Sequence, residues 1–188
     1  ATTSPALPMS TVPAAPPATD GVPGAAKPAT PSPTAAGFVD AIWADAAQAS
    51  RATGRPTQFI VAQAALETGW GRSEPRRADG RPSYNLFGIK AGRNWNGDVA
   101  EAVTTEYVEG VAQQKVERFR AYGSYGEAMR DYASLLTSNP RYAGVLGATD
   151  AAAFARGLQR AGYATDPAYA DKLTRIIGGQ ALASAILA

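Results

Sequence analysis

Proline is spread so unevenly along these 188 residues that it divides the chain before any other feature is considered. Nine of the 14 prolines fall in residues 1–37, "ATTSPALPMSTVPAAPPATDGVPGAAKPATPSPTAAG". Each fixes φ and removes a backbone donor, so neither a helix nor a paired strand runs easily through such a segment. Its only charges are Asp20 and Lys27, and no apolar period is discernible. It reads as an extended Pro/Ala-rich linker. A linker at this place tethers something, so the chain reads as a piece of a longer protein. Folding then falls to the remaining residues: a domain expected over residues 38–178, with a short tail over 179–188.

From Phe38 the pattern is helical. In "FVDAIWADAAQASRAT", Phe38, Ile42, Ala46 and Ala49 recur at helical spacing, and Gly54 ends the run. Pro56 opens a second helix, to about Thr68. Phe59, Ala62 and Leu66 form one stripe of it; Ile60, Gln63 and Glu67 form the next. Gln63 and Glu67 are thus neighbours at the edge of the buried face. Gly69 and Gly71 close this helix around Trp70. Residues 72–98 are rich in Gly, Pro, Arg and Asn without a period, and irregular segments of that length are often functional. "VAEAVTTEYV" (99–108) has strand composition; "EGVAQQ" can turn and "KVERFRAY" can return, giving a hairpin. Ser124 and Glu127 make a capping box for the next helix. Asp150 caps another, with Phe154 and Leu158 inward. Asp166 and Pro167 form an N-cap/N1 pair for "AYADKLTRII". The expected fold is mainly α (α+β), five or six helices with one hairpin inserted.

Composition narrows the chemistry. The chain has no cysteine and no histidine, which excludes disulfides, thiol chemistry, a zinc site and a Ser-His-Asp triad. Acid–base work is left to carboxylates, tyrosines and lysines. The apolar share of 45% supports a core, and the net charge of +2 suits an anionic polymer while falling short of a nucleic-acid binder. No run of about 18 apolar residues is present, so no membrane insertion is expected. The N-terminus carries no signal-peptide pattern.

One stretch, "AALETGWGRSE" (64–74), stands out. Glu67 lies in the last helical turn, where the helix dipole is already negative, and Trp70 follows at once. A helical glutamate is ordinarily a solvated surface charge. Here burial, an aromatic neighbour and the helix C-terminus all disfavour the ionised form, the pattern by which lysozyme keeps its acid protonated. Glu67 is therefore a candidate general acid. Glycoside hydrolysis normally needs a second carboxylate. The hairpin offers Glu101 and Glu106, whose numbers differ in parity, so on a regular strand they point to opposite faces and at most one meets the cleft. In "SYNLFGIK" (83–90), Tyr84 and Phe87, with Trp95 beyond, either pack in the core or stack on sugars, and core packing suits Phe87 better. Tyr163, in "GYATDP", either packs inward or aims its hydroxyl at the cleft. Because a two-stranded hairpin is marginally stable alone, the lobe is expected to be mobile and the cleft open.

Five motifs occur in order: "AQAALETGWG", "SYNLFGIK", "TTEYVEG", "FRAYGSYGEAMRDYASLL" and "GYATDPAYADKL". Together they resemble the catalytic domain of bacterial peptidoglycan β-N-acetylglucosaminidases of glycoside hydrolase family 73, particularly its flagellar rod-associated members, over roughly residues 38–178. The resemblance implies a lysozyme-like helical domain with a small β-lobe, acting on peptidoglycan glycan strands in the periplasm without metal or cofactor. It implies cleavage of β-1,4 bonds between N-acetylglucosamine and N-acetylmuramic acid. It places the catalytic acid on Glu67, the lobe acid on Glu106 or Glu101, and a positioning role on Tyr163. Substrate contacts are expected at Gln63, Trp70, Tyr84, Asn85, Phe87 and Tyr169. Flagellar rod proteins would be met through an N-terminal domain lying outside this sequence. The alternatives are a muramidase or lytic transglycosylase on the same fold, and a non-catalytic wall-binding module.

Overall fold

The computed structural model describes residues 34–188; the linker expected over 1–37 lies almost wholly outside the described residues. Helix α1 (Ala35–Thr53) begins three residues earlier than the sequence pattern suggests, because Thr34 Oγ1 caps it by accepting from the Gly37 amide at 3.0 Å. Gly54, at φ 71°, supplies the left-handed residue that ends it. Helix α2 (Thr57–Thr68) follows at once.

Helix α2 is the centre of the molecule. The sequence reading places Gln63 and Glu67 at the edge of its buried face, but the helix has no exposed face to border. Nine of its 12 residues, Gln63 and Glu67 among them, are buried. Helix α1 covers one side and α6 (Tyr169–Ile177) another, while Phe154 of α5 (Ala151–Arg160) packs on Phe59 with centroids 5.4 Å apart. A helix apolar nearly all round is a core helix.

Strands β1 (Val99–Val108) and β2 (Val111–Arg120) pair antiparallel in one two-stranded sheet. The turn is tighter than the six residues expected. Glu109 and Gly110, at φ 51° and 79°, make a two-residue connection, the primed geometry whose twist matches a hairpin. Residues 111–114 therefore belong to β2.

Helix α3 (Tyr125–Ser138) starts on the expected box: Ser124 Oγ accepts from the Glu127 amide, and the Glu127 carboxylate turns back to accept from the Gly123 amide at 2.7 Å. A 3₁₀ turn (Pro140–Tyr142) and the single turn α4 (Ala143–Leu146) lead to α5, capped by Asp150 as the sequence suggests, with Phe154 and Leu158 buried. The Asp166–Pro167 pair does not cap α6 directly. Asp166 Oδ1 accepts from the Ala168 amide at 2.8 Å, closing an Asx turn, and the helix begins only at Tyr169. Residues expected as a tail form α7 (Gln180–Leu187), which buries Leu182 and Ala185 against α1.

Candidate active site

The site grows out of the way α2 ends. Gly69, Trp70 and Gly71 lie in succession at φ 55°, 61° and 82°. Glycine adopts this region freely, whereas tryptophan does so at a cost. The strained run stops the helix one residue after Thr68. Thr68 then ties down the exit: its Oγ1 accepts from the Gly71 amide and its carbonyl from the Ser73 amide. Trp70 stays half-buried, edge-on to Phe38 at 6.3 Å. Glu67 is thereby held in the last turn, 5% exposed.

Its carboxylate is reached by a directed chain of hydrogen bonds. The Tyr132 hydroxyl donates to Gln63 Oε1 at 2.6 Å. Gln63 Nε2 donates to the Tyr169 hydroxyl oxygen at 3.0 Å, and the Tyr169 hydroxyl donates to Glu67 Oε1 at 2.9 Å. Gln63, Tyr132 and Tyr169 are all buried. Burial first, then the neighbouring Glu67 charge, raises the Tyr132 and Tyr169 hydroxyls well above the ordinary phenol value. Both remain donors at any physiological pH.

Tyr163 stands behind this chain. Its ring stacks on Tyr169 with centroids 6.1 Å apart, and its buried hydroxyl donates to the Phe87 carbonyl at 2.5 Å. Burial, then Glu67, raises this hydroxyl too. Phe87 is fully buried, stacked on Tyr132 at 3.9 Å. Asn85 organises the turn between: Nδ2 donates to the Ile89 and Arg120 carbonyls, and Oδ1 accepts from the Phe87 and Ile89 amides. Tyr84, at φ 57°, meets Tyr125 edge-on, and its amide donates to Glu74 Oε1. Burial raises the Glu74 pKa despite hydrogen bonds from Tyr125 and Tyr84.

The hairpin closes the site from the other side. Its Ala100, Thr104 and Glu106 share the buried face, whereas Glu101 is exposed on the opposite one, as the parity of their numbers requires. A cavity of about 30 Å³ lies between helix and lobe, lined by Glu67, Ser73, Asn85, Ala102, Thr104 and Phe119 among others. That is room for about one water, not for a sugar ring. The open cleft expected from a marginal hairpin is therefore not what the structure shows, because the lobe is fastened at several points. Phe119 bridges to Lys90, the Arg120 amide donates to the Ile89 carbonyl, and the Tyr107 amide donates to Thr165 Oγ1 at 3.1 Å.

Glu106, one pleat beyond Thr104 and 2% exposed, is the buried acid of the lobe. Lys90 Nζ bonds its Oε1, and also pairs with Glu117 at 3.1 Å; Lys115 Nζ lies 3.4 Å from Oε2. Burial alone would raise the Glu106 pKa. The Lys90 hydrogen bond and charge, helped by Lys115, outweigh burial and hold the carboxyl below its ordinary value. Glu67 accepts from a tyrosine hydroxyl and Glu106 is held by lysines, and different surroundings are how two carboxylates acquire different tasks.

Of the residues singled out in the sequence, Glu67, Gln63 and Tyr169 meet directly, and Tyr163, Phe87 and Asn85 buttress them from within. Glu106 sits on the lobe face turned toward them, and Glu101 on the outer face. Trp95 packs on Tyr122 and under the Arg120 guanidinium. Sequence reasoning missed Tyr132, Lys90, Lys115 and Thr165. Lys90 carried a usable signal, a cation that closes the apolar run "LFGI". Among the described residues, no group of three or more acidic side chains is placed to hold a metal ion, and no helix is long and apolar enough to cross a membrane.

Comparison with known proteins places this geometry. A family profile described as glucosaminidase, mannosyl-glycoprotein endo-β-N-acetylglucosaminidase, matches residues 43–182. The peptidoglycan hydrolase FlgJ of Escherichia coli K12 is 57% identical over 129 residues, 69% of this chain and 41% of that protein. FlgJ of Pseudomonas aeruginosa is 46% identical over 140 residues, 74% of this chain and 35% of that one. The chain spans about two fifths of the length of the curated relatives it matches. A crystal structure of a peptidoglycan hydrolase mutant from Sphingomonas sp. A1 superposes with a TM-score of 0.79 at 59% identity, covering 81% of this chain and 98% of that one. The glycoside hydrolase domain of Salmonella typhimurium FlgJ gives 0.64 at 45% identity, covering 81% and 92%.

Proposed function

Since the chain belongs to the glucosaminidase family of glycoside hydrolases, we propose that it hydrolyses the glycan strands of peptidoglycan, at the β-1,4 bond between N-acetylglucosamine and N-acetylmuramic acid. The observation that carries this reading is Glu67: a buried carboxyl at the end of the core helix, held by Tyr169 and lining the cavity under the hairpin. In the proposed reaction Glu67 gives its proton to the glycosidic oxygen as the bond breaks. Glu106, kept ionised, faces the positive charge that develops at the sugar carbon, or activates the attacking water. The lysines that keep it ionised also neutralise part of its field. An acetamido group on the substrate is therefore the stronger candidate for nucleophile, a recognised exception to the two-carboxylate scheme.

Tyr169, Gln63 and Tyr132 act in this scheme as positioning residues for Glu67 rather than as sugar contacts. Tyr163 and Asn85 hold the surrounding turn. The cavity is too small for a sugar, so the lobe swings away to admit the glycan, breaking the Tyr107–Thr165 contact. In line with the resemblance to flagellar rod-associated members, we propose that the whole protein opens the wall for flagellar rod assembly in the periplasm.

Digestion of purified peptidoglycan followed by borohydride reduction tests the reading. Reduced glucosamine ends are expected. Reduced muramic ends would identify a muramidase, anhydro ends a lytic transglycosylase, and binding without new ends a wall-binding module.

A further inference from the structure

On the outer side of the hairpin base lies a second concavity, of about 490 Å³, lined by Arg76, Arg77, Ala78, Val99, Glu101 and Arg118. Its volume is in the range of small-ligand sites. The extended segment that lines the Glu67 cavity with Ser73 and Pro75 continues directly into this groove with Arg76 and Arg77. Strand β1 likewise presents Ala102 and Thr104 to the cavity and Val99 and Glu101 to the groove. Cavity and groove thus share the 73–77 segment and the base of β1, on opposite faces of that strand.

The three guanidinium groups are not equivalent. Arg77 is built in: it donates to Asp98, to the Tyr122 carbonyl at 2.7 Å and to the Pro82 carbonyl at 3.3 Å. It fixes the groove wall. Arg76 and Arg118 are exposed, and neither has an ion-pair partner among the described residues. Arg76 is steadied by donating to the Gly80 carbonyl at 3.1 Å. Arg118 stands across the ladder from Glu101 without closing a bridge to it. Glu101 lines the groove, Asp98 is taken up by Arg77 and Glu74 feels the charge of Arg76; the Arg76 and Arg118 guanidinium forks, closing no ion pair among the described residues, suit carboxylates through paired hydrogen bonds.

We propose that this groove binds the carboxylates of the peptide stems carried by the glycan, with Arg76 and Arg118 as the anion-binding groups and Arg77 as the fixed wall. The proposal rests on the peptidoglycan reading and sharpens it. The substrate is then a peptide-bearing strand, gripped at its stem while the sugar bond is presented to Glu67. Glu101, in this arrangement, is a groove residue that orients Arg118 or repels a misplaced stem.

The test compares two substrates on the Arg76→Ala/Arg118→Ala double variant: intact peptidoglycan, and the same glycan stripped of its peptides by an amidase. On intact material kcat/KM is expected to fall about tenfold, mostly through KM and less steeply at high salt, as for partly screened charge-assisted bonds. On stripped glycan the variant should match the wild type. Equal losses on the two substrates, or no loss on either, would overturn the groove. Co-sedimentation with intact and stripped sacculi separates this proposal from the activity itself. Arginine-dependent binding to intact sacculi by a protein that releases no reducing ends would sustain the groove and sink the proposed hydrolysis. Binding that ignores both the peptides and the arginines would sink the groove alone.

Discussion

Replacing Lys90 by methionine keeps most of the side-chain volume and removes the cation that pins Glu106. Removing one partner of a buried pair costs about 3–5 kcal/mol, because the remaining charge stays buried. Two features reduce this. Lys115 remains, 3.4 Å from Oε2, although it is 44% exposed, and Glu117, the second partner of Lys90, is only partly buried. A loss of about 2–3 kcal/mol at pH 7 is therefore expected, or a fall in Tm of about 5–10 °C for a domain of this size. The pH dependence identifies the cause. In the wild type the Glu106 carboxyl is held below its ordinary value. Its stabilisation is fully present above the unfolded-state pKa of about 4.3 and is lost as pH falls through the depressed folded value. In Lys90→Met that carboxyl takes up its proton at higher pH. The gap between variant and wild type should be widest near neutrality and close below about pH 4. Thermal melts between pH 3 and 8 measure this directly. A deficit that does not change with pH would show that Lys90 acts through its aliphatic stem. In that case adding Glu106→Gln to Lys90→Met would restore nothing, whereas charge-driven destabilisation would be largely relieved.

Other perturbations probe the remaining contacts. Tyr169→Phe preserves the stack on Tyr163 and removes the donor to Glu67 together with the acceptor for Gln63 Nε2; kcat should fall about 10- to 100-fold with KM nearly unchanged, since a hydrogen bond to a charged group is worth about 1.5–3 kcal/mol. Unchanged kcat would remove Tyr169 from the positioning chain. Thr165→Val breaks the contact to the Tyr107 amide; amide exchange in β1 should quicken while helices α1 and α2 stay protected, and uniform exchange would show that the lobe is not fastened there. Phe154→Ala opens the core beside Phe59 and should cost about 3–5 kcal/mol, read by denaturant melts, with a smaller loss if the site collapses.

Much of this could be read from the sequence, for local reasons. Caps at Ser124 and Asp150 and the stop at Gly54 depend on hydrogen bonds within a few residues, and all three stand as expected. The hairpin was legible from composition, but its turn was not: "EGVAQQ" looks like one polar loop, and only the pairing of Val111 with Val108 shows that two residues turn the chain. Helix α2 misled because a stripe cannot be told from total burial when Gln63 and Glu67 are polar. Their burial is made possible by Tyr132 and Tyr169, 69 and 106 residues distant from Gln63 in sequence. Lys90 and Thr165 were invisible for the same reason, their roles existing only once the lobe has folded onto the body. Parity did separate Glu101 from Glu106, since the pleat is a property of the strand alone.

The central claim is that Glu67 delivers the proton that breaks the glycosidic bond, and Glu67→Gln tests it with one change of atom. General acid catalysis contributes about 10²–10⁴-fold. Release of reducing ends from purified peptidoglycan by Glu67→Gln should therefore fall at least about 100-fold, with the melting transition and binding to sacculi retained. A folded Glu67→Gln protein that releases reducing ends at a rate near the wild type would contradict the account.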